Sequence, residues 1–387
     1  MTNSTAPPQT WIDTDRGLAD AVAALKSEPA YGLDTEFVAE RTYRPRLCLV
    51  QISWPGHTAL IDPLACDVSA LKEVLVGPGT MITHAGSGDL PIIERACGDR
   101  PTSLFDTQLS AGFIGMSQPS LSSLTWALLR IRLDKGDQLS DWSRRPLPAS
   151  VLDYAAGDVD HLFALRDELV KRLEARGRLE WAVAECEILR SHAARSFDPE
   201  TTWWKVKGSR SLKGEQATIA QGLSAWRERR AEADDVPPRF VMSDLALTAL
   251  IQRPPRNADE IMKVRGAGNL SKSAVAGIWN AIQAARSISD SELKLPPKHS
   301  SDPSLDAASG LLTGWTAQVA EGEQIDPRLL ATRDDVKALV NDRPSRLDSG
   351  WRAEMIGDDL RALLNGDAVL RFVDNGSRLS LEKSPHT

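Results

Sequence analysis

The chain has 387 residues and a formal net charge of −7, with 42% hydrophobic and 26% charged residues. This composition is ordinary for a globular protein, and about 150 residues per domain allows two or three domains. No stretch approaches the roughly 18 apolar residues of a membrane span, and the polar N-terminus resembles a disordered lead-in rather than a secretory signal. The four cysteines are scattered without a C-x-x-C pair, which argues against a zinc site and a disulfide framework. We therefore expect a cytoplasmic protein with no membrane partner.

The first half of the chain alternates strand and helix patterns. Short runs rich in β-branched and aromatic residues predict four strands, at 31–37, 47–54, 57–62 and 80–85. Short connections make the first three strands antiparallel neighbours, whereas a helical pattern between the third and the fourth implies a parallel crossover. Further along, the spacing of apolar residues predicts helices at 120–130, 149–176 and 178–193. The first half is therefore predicted to be an α/β domain with a mixed sheet.

The second half predicts helical bundles, with one strand-like sequence, "AVLRFVD", near the end. Residues 223–251 align without gaps on residues 312–340, with a tryptophan and a Pro-Arg pair at the same spacing. We interpret this repeat as two copies of one small helical domain. The fold class is thus α/β plus all-α, and the predicted domains are 1–200, 205–290 and 300–387.

Positive charge is concentrated in the first helical copy. Residues 205–287 hold 14 Lys and Arg residues against 8 Asp and Glu residues, whereas the segments on either side are acidic. This distribution predicts an electrostatic docking surface for nucleic acid. The cations that we assign to this surface are Lys205, Lys207, Arg210, Lys213, Arg227, Arg229, Arg230, Lys263 and Arg265.

The sequence "YGLDTEFVAE" places two carboxylates inside an apolar strand. Asp34 and Glu36 project from one face of such a strand, and Thr35 points away from them. Two buried carboxylates at this distance repel each other unless a cation compensates them. A divalent metal is one compensator, because hard oxygen ligands suit Mg²⁺ or Mn²⁺. The alternative is that both acids lie in solvent or pair with a nearby arginine.

Two later segments contribute residues of the same kind. Asp89 follows the predicted fourth strand and opens a helix, at the strand end where open α/β sheets gather ligands. Tyr154 and Asp158 share one helical face at positions i and i+4, separated by small residues that let a helix approach a sheet closely. Taken singly, Asp89 could serve the helix dipole, and Tyr154 and Asp158 could form an exposed pair.

In this order, the acids and the tyrosine resemble the motifs of DEDD exonucleases with a tyrosine in the third motif. The sequences "LDTEF", "HAGSGDL" and "YAAGDV" are similar to the three exonuclease motifs of the ribonuclease D family. The same holds for "RTYRPRLCLVQIS", "LFDTQL" and "LSDWSRRPLP" around them. The helical repeat resembles the helicase-and-RNase-D C-terminal (HRDC) domain, so the resemblance covers nearly the whole chain.

The resemblance implies an RNase H-like mixed-sheet exonuclease domain followed by two small HRDC-like bundles. It also implies two divalent cations, Mg²⁺ or Mn²⁺. Asp34 would bridge the two ions, Glu36 and Asp158 would complete the site of the attacking water, Asp89 would hold the second ion, and Tyr154 would orient the water. The implied activity is 3′–5′ trimming of RNA 3′ ends, in tRNA precursors among others, by a monomer that releases 5′-nucleoside monophosphates.

Four further residues are candidates for contacts with nucleic acid. His84 lies at a strand end, where we expect a structural or substrate-adjacent role, and Trp142, Arg144 and Arg145 lie in a polar loop that could stack on a base or bind phosphate. The alternative for this loop is a packed tryptophan with solvated arginines. Two other functions stay open: a DNA exonuclease with the same chemistry, and a catalytically silent nucleic-acid-binding protein.

Overall fold

A computed structural model of the chain describes residues 9–133, 140–192, 198–268, 270–296 and 305–383. These residues form two compact units. The sheet unit takes the described residues of Met1–Glu36, Cys48–Ala193 and Ser300–Thr387, and the helical unit takes those of Phe37–Leu47 and Ala194–His299. The segment 300–387, which the repeat predicts as a third domain, therefore lies in the same compact unit as the sheet.

A six-stranded mixed sheet organises the sheet unit. Its order is β1-β4-β3-β2-β5-β6, where the strands are β1 (Gln9–Ile12), β2 (Ala30–Val38), β3 (Arg46–Trp54), β4 (His57–Ile61), β5 (Thr80–Thr83) and β6 (Ser103–Asp106). β3 and β4 are antiparallel, whereas β1 runs parallel to β4 and β5 runs parallel to both β2 and β6. The inner position of β2 explains its almost continuous run of buried residues from Ala30 to Leu33.

The predicted mixed sheet is confirmed, with two strands added. The four predicted strands are β2, β3, β4 and β5, and β3 and β4 are antiparallel neighbours as predicted. The predicted parallel pairing of β4 with β5 is wrong, because the crossover after β4 carries the chain past β3 and β5 pairs in parallel with β2 instead. β1 lies partly in the sequence expected to be a disordered lead-in, and β6 was not predicted. Each of these strands has only four residues, and β1 exposes Gln9 and Thr10 at the sheet edge, so neither has a periodic pattern long enough to recognise.

Eight helices accompany the sheet in the first half of the chain. They are α1 (Asp15–Leu25), α2 (Lys72–Leu75), α3 (Asp89–Cys97), α4 (Thr107–Gly112), α5 (Leu121–Leu129), α6 (Ala149–Asp160), α7 (Leu162–Glu174) and α8 (Leu179–His192). The prediction of a single helix at 149–176 is wrong in one respect. His161 has a non-helical backbone conformation (φ −106°, ψ 1°), which interrupts the helix and separates α6 from α7. Among the described residues, none of the helices has the length and apolar content to cross a membrane.

The helical unit is built around one long helix. Its helices are α9 (Glu215–Ala233), α10 (Pro238–Val241), α11 (Asp244–Gln252), α12 (Ala258–Ile261) and α13 (Lys272–Ala285). Buried apolar side chains of α9, α11 and α13, such as Leu223, Leu250 and Ile278, form its core together with Trp203. Residues 37–47 also belong to this unit, where Tyr43 donates a hydrogen bond of 3.2 Å to Glu228 of α9.

The last described segment repeats part of this arrangement and ends in a hairpin. Its elements are α14 (Asp306–Gly322), α15 (Pro327–Leu330), α16 (Arg333–Val340), α17 (Gly350–Arg352), α18 (Asp358–Asn365), β7 (Ala368–Val373) and β8 (Arg378–Lys383), of which β7 and β8 pair antiparallel. The sequence "AVLRFVD" is thus a strand, as predicted. Its partner β8 was not predicted.

A buried ion pair fixes this segment inside the sheet unit. Arg352 donates to both carboxylate oxygens of Glu185 on α8 at 2.6 and 2.7 Å, and the two side chains are only 6% and 7% exposed. Next to them, the indole of Trp351 stacks on Trp181 with ring centroids 5.2 Å apart and meets the edge of Phe113. Because each charge is desolvated, either partner alone would be an uncompensated buried ion.

We expect Arg352→Met to lower the free energy of unfolding by about 3–5 kcal/mol, because it leaves the Glu185 carboxylate buried without a partner. Adding Glu185→Gln should recover part of this loss. Urea unfolding followed by tryptophan fluorescence measures both effects. The control is Arg371→Met, which breaks an exposed 3.6 Å pair with Glu382 and should cost less than about 0.5 kcal/mol. Equal losses for Arg352→Met and Arg371→Met would contradict the buried pair.

Candidate functional site

Three carboxylates converge at the end of β2. Asp34 and Glu36 on β2 and Asp158 on α6 each offer an oxygen atom, and these oxygens all lie within 4.8 Å of one another. All three side chains are partly buried. The two strand acids therefore share one face, as the alternation of side chains predicts, and a helix from a distant part of the chain brings the third acid to them.

A glycine two residues before Asp34 allows this helix to approach. A Cβ atom at Gly32 would collide with the Ser53 hydroxyl and would lie 3.5 Å from the carbonyl oxygen of Val159 on α6. Ser53 donates a hydrogen bond of 3.1 Å to that carbonyl, and Thr58 donates one of 2.7 Å to the carboxylate of Asp160. Strands β3 and β4 thereby hold the C-terminal end of α6 against the face that carries the acids.

Three small residues precede Asp158 on α6, and two of them contribute to the close packing of this helix. Ala155 and Ala156 are fully buried, as the predicted close approach requires. Gly157 faces open space, where an added Cβ atom would meet nothing within 4 Å, and the same holds for Gly88 before Asp89. Larger side chains fit at both glycines, so the prediction that Gly157 is needed for close approach is wrong.

Asp89 lies at the start of α3 and is buried, with only 7% of its surface exposed. Its carboxylate accepts a hydrogen bond from the hydroxyl of Thr35, the residue between the two strand acids. The sequence predicts that Thr35 points away from the acids, and its hydrogen bond to Asp89 was not foreseen. The strand thus presents two acids on one face and holds a third acid through Thr35.

Asp106, at the end of β6, shapes the loop that leads to Asp89. Its carboxylate accepts hydrogen bonds from the backbone N–H groups of Ala85 and Gly86, at 3.2 and 2.8 Å, and caps α4 through those of Gln108 and Leu109. Four N–H donors satisfy this buried charge. The motif "LFDTQL" contains Asp106, but sequence alone gave it no role.

Burial raises the pKa values of all four acids, and repulsion from neighbouring carboxylates adds to the shifts. The pKa of Asp34 lies well above its ordinary range, because its carboxylate is buried and lies beside those of Asp89, Asp158 and Glu36. Burial, with the charges of Asp158 and Asp89, raises the pKa of Glu36 to about 8. Burial likewise raises the pKa of Asp158 to about 7 and that of Asp89 to about 6, although hydrogen bonds from Tyr154 and Thr35 oppose these shifts. The metal-free protein therefore resists ionising the cluster.

The donor set fits a divalent cation. Carboxylate oxygens are the ligands that Mg²⁺ and Mn²⁺ prefer, and a positive charge among these groups would reverse the repulsion that raises their pKa values. No histidine or cysteine belongs to the described cluster of Asp34, Glu36 and Asp158, which disfavours zinc. The cluster could thus hold a metal, while the identity and number of ions are matters for experiment.

Tyr154 lies one helical turn before Asp158 and hydrogen bonds to its carboxylate. Its ring packs against the indole of Trp142, with the centroids 6.3 Å apart. Trp142 is 3% exposed. The predicted contact between Trp142 and a nucleic acid base is therefore corrected, because a buried ring cannot stack on a base, and its contact with Tyr154 indicates a packing role.

Arg145 also differs from its predicted role. Its guanidinium donates to both carboxylate oxygens of Asp62 at 2.6 Å and to the carbonyl oxygens of Cys48 and Trp142. With its donors occupied, Arg145 is a structural residue rather than a free phosphate ligand. Arg144 is exposed, so its contact with nucleic acid stays a prediction.

His84 uses both ring nitrogens inside the sheet unit. Nε2 donates to the carbonyl oxygen of Pro119 at 3.1 Å, and Nδ1 is hydrogen bonded to the Thr107 hydroxyl at 2.9 Å. Burial lowers its pKa. Of the two roles predicted for His84, structural or substrate-adjacent, these contacts favour the structural one. The predicted contact of His84 with nucleic acid is therefore corrected, because both ring nitrogens already have hydrogen-bond partners inside the protein.

Ion pairs divide the basic residues assigned to the docking surface. Arg227 pairs with Asp244 at 2.5 Å, Arg230 pairs with Asp234 at 2.5 Å, and Arg229 pairs with Glu200. The assignment of these three arginines to a free docking surface is therefore corrected, because a carboxylate neutralises each of them. The remaining six are exposed and form no ion pair within the described part of the chain: Lys205, Lys207, Arg210, Lys213, Lys263 and Arg265. Their contact with nucleic acid stays a prediction.

A divalent cation should stabilise the protein most at high pH. The raised pKa values mean that the folded chain keeps protons that the unfolded chain releases above about pH 4. Without metal, stability should therefore fall as the pH rises from about 4 and should level off once the pH has passed the folded pKa values of about 6 to 8. Mg²⁺ or Mn²⁺ should restore the lost stability at high pH. Thermal melting with EDTA or metal at pH 5 and pH 8 measures both effects.

Asp34→Asn should raise the metal-free melting temperature at pH 8 and weaken the response to metal, since it removes one repelling charge. Asp153→Asn, at an exposed position on the same helix as Asp158, is the matched control and should behave like the wild type. Identical melting with and without metal would count against the site.

We expect Thr35→Val to weaken metal binding about 10- to 100-fold, because Asp89 loses the hydrogen bond that lowers its pKa and orients it. Thr35→Ser keeps the hydroxyl and should stay near the wild type. Metal titrations followed by calorimetry compare the three proteins. If the Thr35→Val and Thr35→Ser proteins bind metal equally well, the hydroxyl of Thr35 does not position Asp89.

Comparison with known proteins agrees with the geometry. Residues 9–174 match the family described as 3′-5′ exonuclease, and residues 216–274 match the HRDC domain. Ribonuclease D of Gluconacetobacter diazotrophicus is 34% identical over 373 residues, which cover 94% of this chain and 95% of that protein. Ribonuclease D of Escherichia coli is 32% identical over 365 residues, covering 91% and 97%.

Solved structures give the same result for the fold. The crystal structure of Escherichia coli RNase D matches with a TM-score of 0.83 and 31% identity, covering 93% of this chain and 99% of that chain. A protein from Bifidobacterium adolescentis shares the fold at 22% identity, with a TM-score of 0.74. From these similarities along nearly its whole length, the chain belongs to the ribonuclease D family and carries a 3′–5′ exonuclease domain and an HRDC domain.

Proposed function

We propose that this protein is a metal-dependent 3′–5′ exoribonuclease that releases 5′-nucleoside monophosphates from RNA. The observation that carries this proposal is the convergence of oxygens from Asp34, Glu36 and Asp158 within 4.8 Å. Asp89 belongs to the same electrostatic cluster, because its charge raises the pKa of each of these three acids. The choice of RNA over DNA is supported by the relatives, which are named ribonuclease D.

Two divalent cations, Mg²⁺ or Mn²⁺, are the proposed cofactors. Asp34 would contact both ions, Glu36 and Asp158 would complete one site, and Asp89 would serve the other. When bound, the cations would supply charge neutralisation at the attacking and the leaving oxygens of the scissile phosphate. The raised pKa values of the four acids support this assignment, since no described lysine or arginine forms an ion pair with any of them.

The side chains around the acids would position the reacting groups and would not themselves react. Tyr154, whose hydroxyl hydrogen bonds to Asp158, would orient the attacking water at the phosphorus. Thr35 would keep Asp89 ionised and aligned, and Trp142 would fix the ring of Tyr154 by packing against it. This arrangement supports placing the enzyme in the tyrosine subgroup of the DEDD exonucleases.

The proposed substrate is a structured RNA with a free 3′ end, such as a tRNA precursor. Escherichia coli RNase D is described as an exoribonuclease involved in structured RNA processing. The exposed cations of the helical unit would bind RNA phosphates, and Arg144 would add a contact from the sheet unit. The four buried cysteines suit a reducing compartment, and we place the enzyme in the cytoplasm as a monomer.

We also propose that the two helical copies are tandem HRDC domains, with the divisions 1–200, 205–290 and 300–387. α10 begins at Pro238 and α15 begins at Pro327, and the ends of α9 and α14 lie the same number of residues apart. This common offset supports a shared ancestry. The second copy departs from the first at its end, where the α18 helix and the β7–β8 hairpin replace a long last helix.

The proposed activity is tested with RNA and DNA oligomers labelled at either end. The wild type with Mg²⁺ or Mn²⁺ should shorten 5′-labelled RNA stepwise and release mononucleotides at once from 3′-labelled RNA. EDTA should abolish the reaction, and Asp158→Asn should lower kcat by at least about 10²-fold. Asp153→Asn, on the exposed side of the same helix, should keep full activity.

The outcomes separate the alternatives. Equal rates on RNA and DNA would make the enzyme a nuclease without sugar preference. Binding of RNA without cleavage would indicate a silent nucleic-acid-binding protein. Removal of nucleotides from the 5′ end, or activity that survives EDTA, would overturn the proposed mechanism.

A further inference from the structure

Helix α5 exposes a tryptophan that the proposed catalytic machinery does not use. Trp126 is 42% exposed, although large aromatic residues are usually buried. The guanidinium groups of Arg130 and Arg132 lie 5.6 and 5.0 Å from the centre of its ring. The side chain thus combines an open aromatic surface with two adjacent positive charges.

The two arginines are not neutralised. Within the part of the chain that the structure describes, neither Arg130 nor Arg132 has a carboxylate partner, and both are exposed. Other arginines of the sheet unit that lie over aromatic rings do have such a partner: Arg145 pairs with Asp62, and Arg178 pairs with Glu323 at 2.8 Å. The Trp126 surface therefore keeps its positive charge available to a ligand.

The chemistry of this surface matches a single-stranded nucleic acid. Bases stack on exposed aromatic rings, and guanidinium groups bind the phosphates between them and add cation–π attraction. A protein or lipid partner would call for a wider apolar face, whereas the flanks of Trp126 are charged. Charge complementarity thus favours a polyanion with flat, unpaired bases.

The position of α5 relates this surface to the acids. The start of α5 is tied to the end of β5, because His84 and Gln108 both donate to the carbonyl oxygen of Pro119, next to the capping residue Ser120. The loop that follows His84 leads to Asp89. With about 1.5 Å of rise per residue, Trp126 lies about 9 Å along the helix from Ser120.

We propose that Trp126, Arg130 and Arg132 form a stacking platform for the single-stranded part of the RNA upstream of the scissile bond. This inference rests on the proposed function and deepens it by naming where the strand is held. Trp126 takes the role that the sequence suggested for Trp142, whose ring is buried.

Binding measurements without chemistry test the platform. A fluorescent single-stranded RNA of about 12 nucleotides is titrated in EDTA with the Asp158→Asn protein, as such and with further substitutions. Trp126→Ala should weaken binding about tenfold, and Trp126→Phe should recover most of the affinity. Replacing Arg130 and Arg132 together by Gln should reduce the salt dependence, log Kd against log salt concentration, by about 1.4.

Phe372→Ala is the matched control. Phe372 lies on β7 in the same unit, is 71% exposed, and should leave the affinity unchanged when truncated. The platform is overturned if Trp126→Ala binds like the unsubstituted protein, or if Phe372→Ala loses as much affinity. Melting temperatures confirm that the variants are folded. Cleavage is assayed separately with the wild type. Failure of the wild type to degrade RNA would therefore contradict the proposed function, whereas the binding measurements would still test the platform.

Discussion

Repulsion among buried carboxylates is the constraint on which the rest of the structure depends. Asp34, Glu36, Asp89 and Asp158 come from three elements. The charges of the other three acids raise the pKa of Asp34, and the charge of Asp89 also raises the pKa values of Glu36 and Asp158. Clustered acids are held together only if other contacts fix the elements that carry them. The hydrogen bonds from Ser53 and Thr58 to the end of α6 do this, as do those that Asp106 accepts from the loop before α3. The fold thus holds four carboxylates together, and their repulsion is relieved when protons or a cation neutralise them.

The geometry of β2 explains how one strand serves two helices. Gly32, Asp34 and Glu36 share a face, so the position without a side chain admits α6 and the next two positions meet Asp158. Thr35 belongs to the other face, yet its hydroxyl reaches Asp89 because α3 begins beyond the end of the neighbouring strand β5. The pattern G-x-D-T-E therefore provides a site for close approach of a helix, two carboxylates of the acidic cluster and a hydroxyl that hydrogen bonds to Asp89 in five residues.

The sequence predicts the site correctly where the pattern is local, and it misses features where burial of a side chain depends on residues that are distant in the chain. The strand period placed Asp34 and Glu36 together, and the helical period placed Tyr154 beside Asp158. The polar loop left open whether Trp142 stacks on a base or packs, and it predicted that Arg145 binds phosphate or lies in solvent. Arg145 is instead held by Asp62, 83 positions away in the chain, and no local pattern reports such a contact. β1 and β6 were missed for a related reason, since four residues are too few to show a period.

The two helical copies show how one pattern can serve opposite purposes. Their first three helices keep the same spacing, because the tryptophan, proline and apolar positions that define them are retained. Their charges are used differently. Among the described residues, the first copy exposes cations without an ion pair, whereas in the second Arg352 is buried against Glu185 and Trp351 packs on Trp181. A cation buried in an ion pair cannot bind phosphate, so Arg352 contributes to packing within the sheet unit rather than to an electrostatic surface.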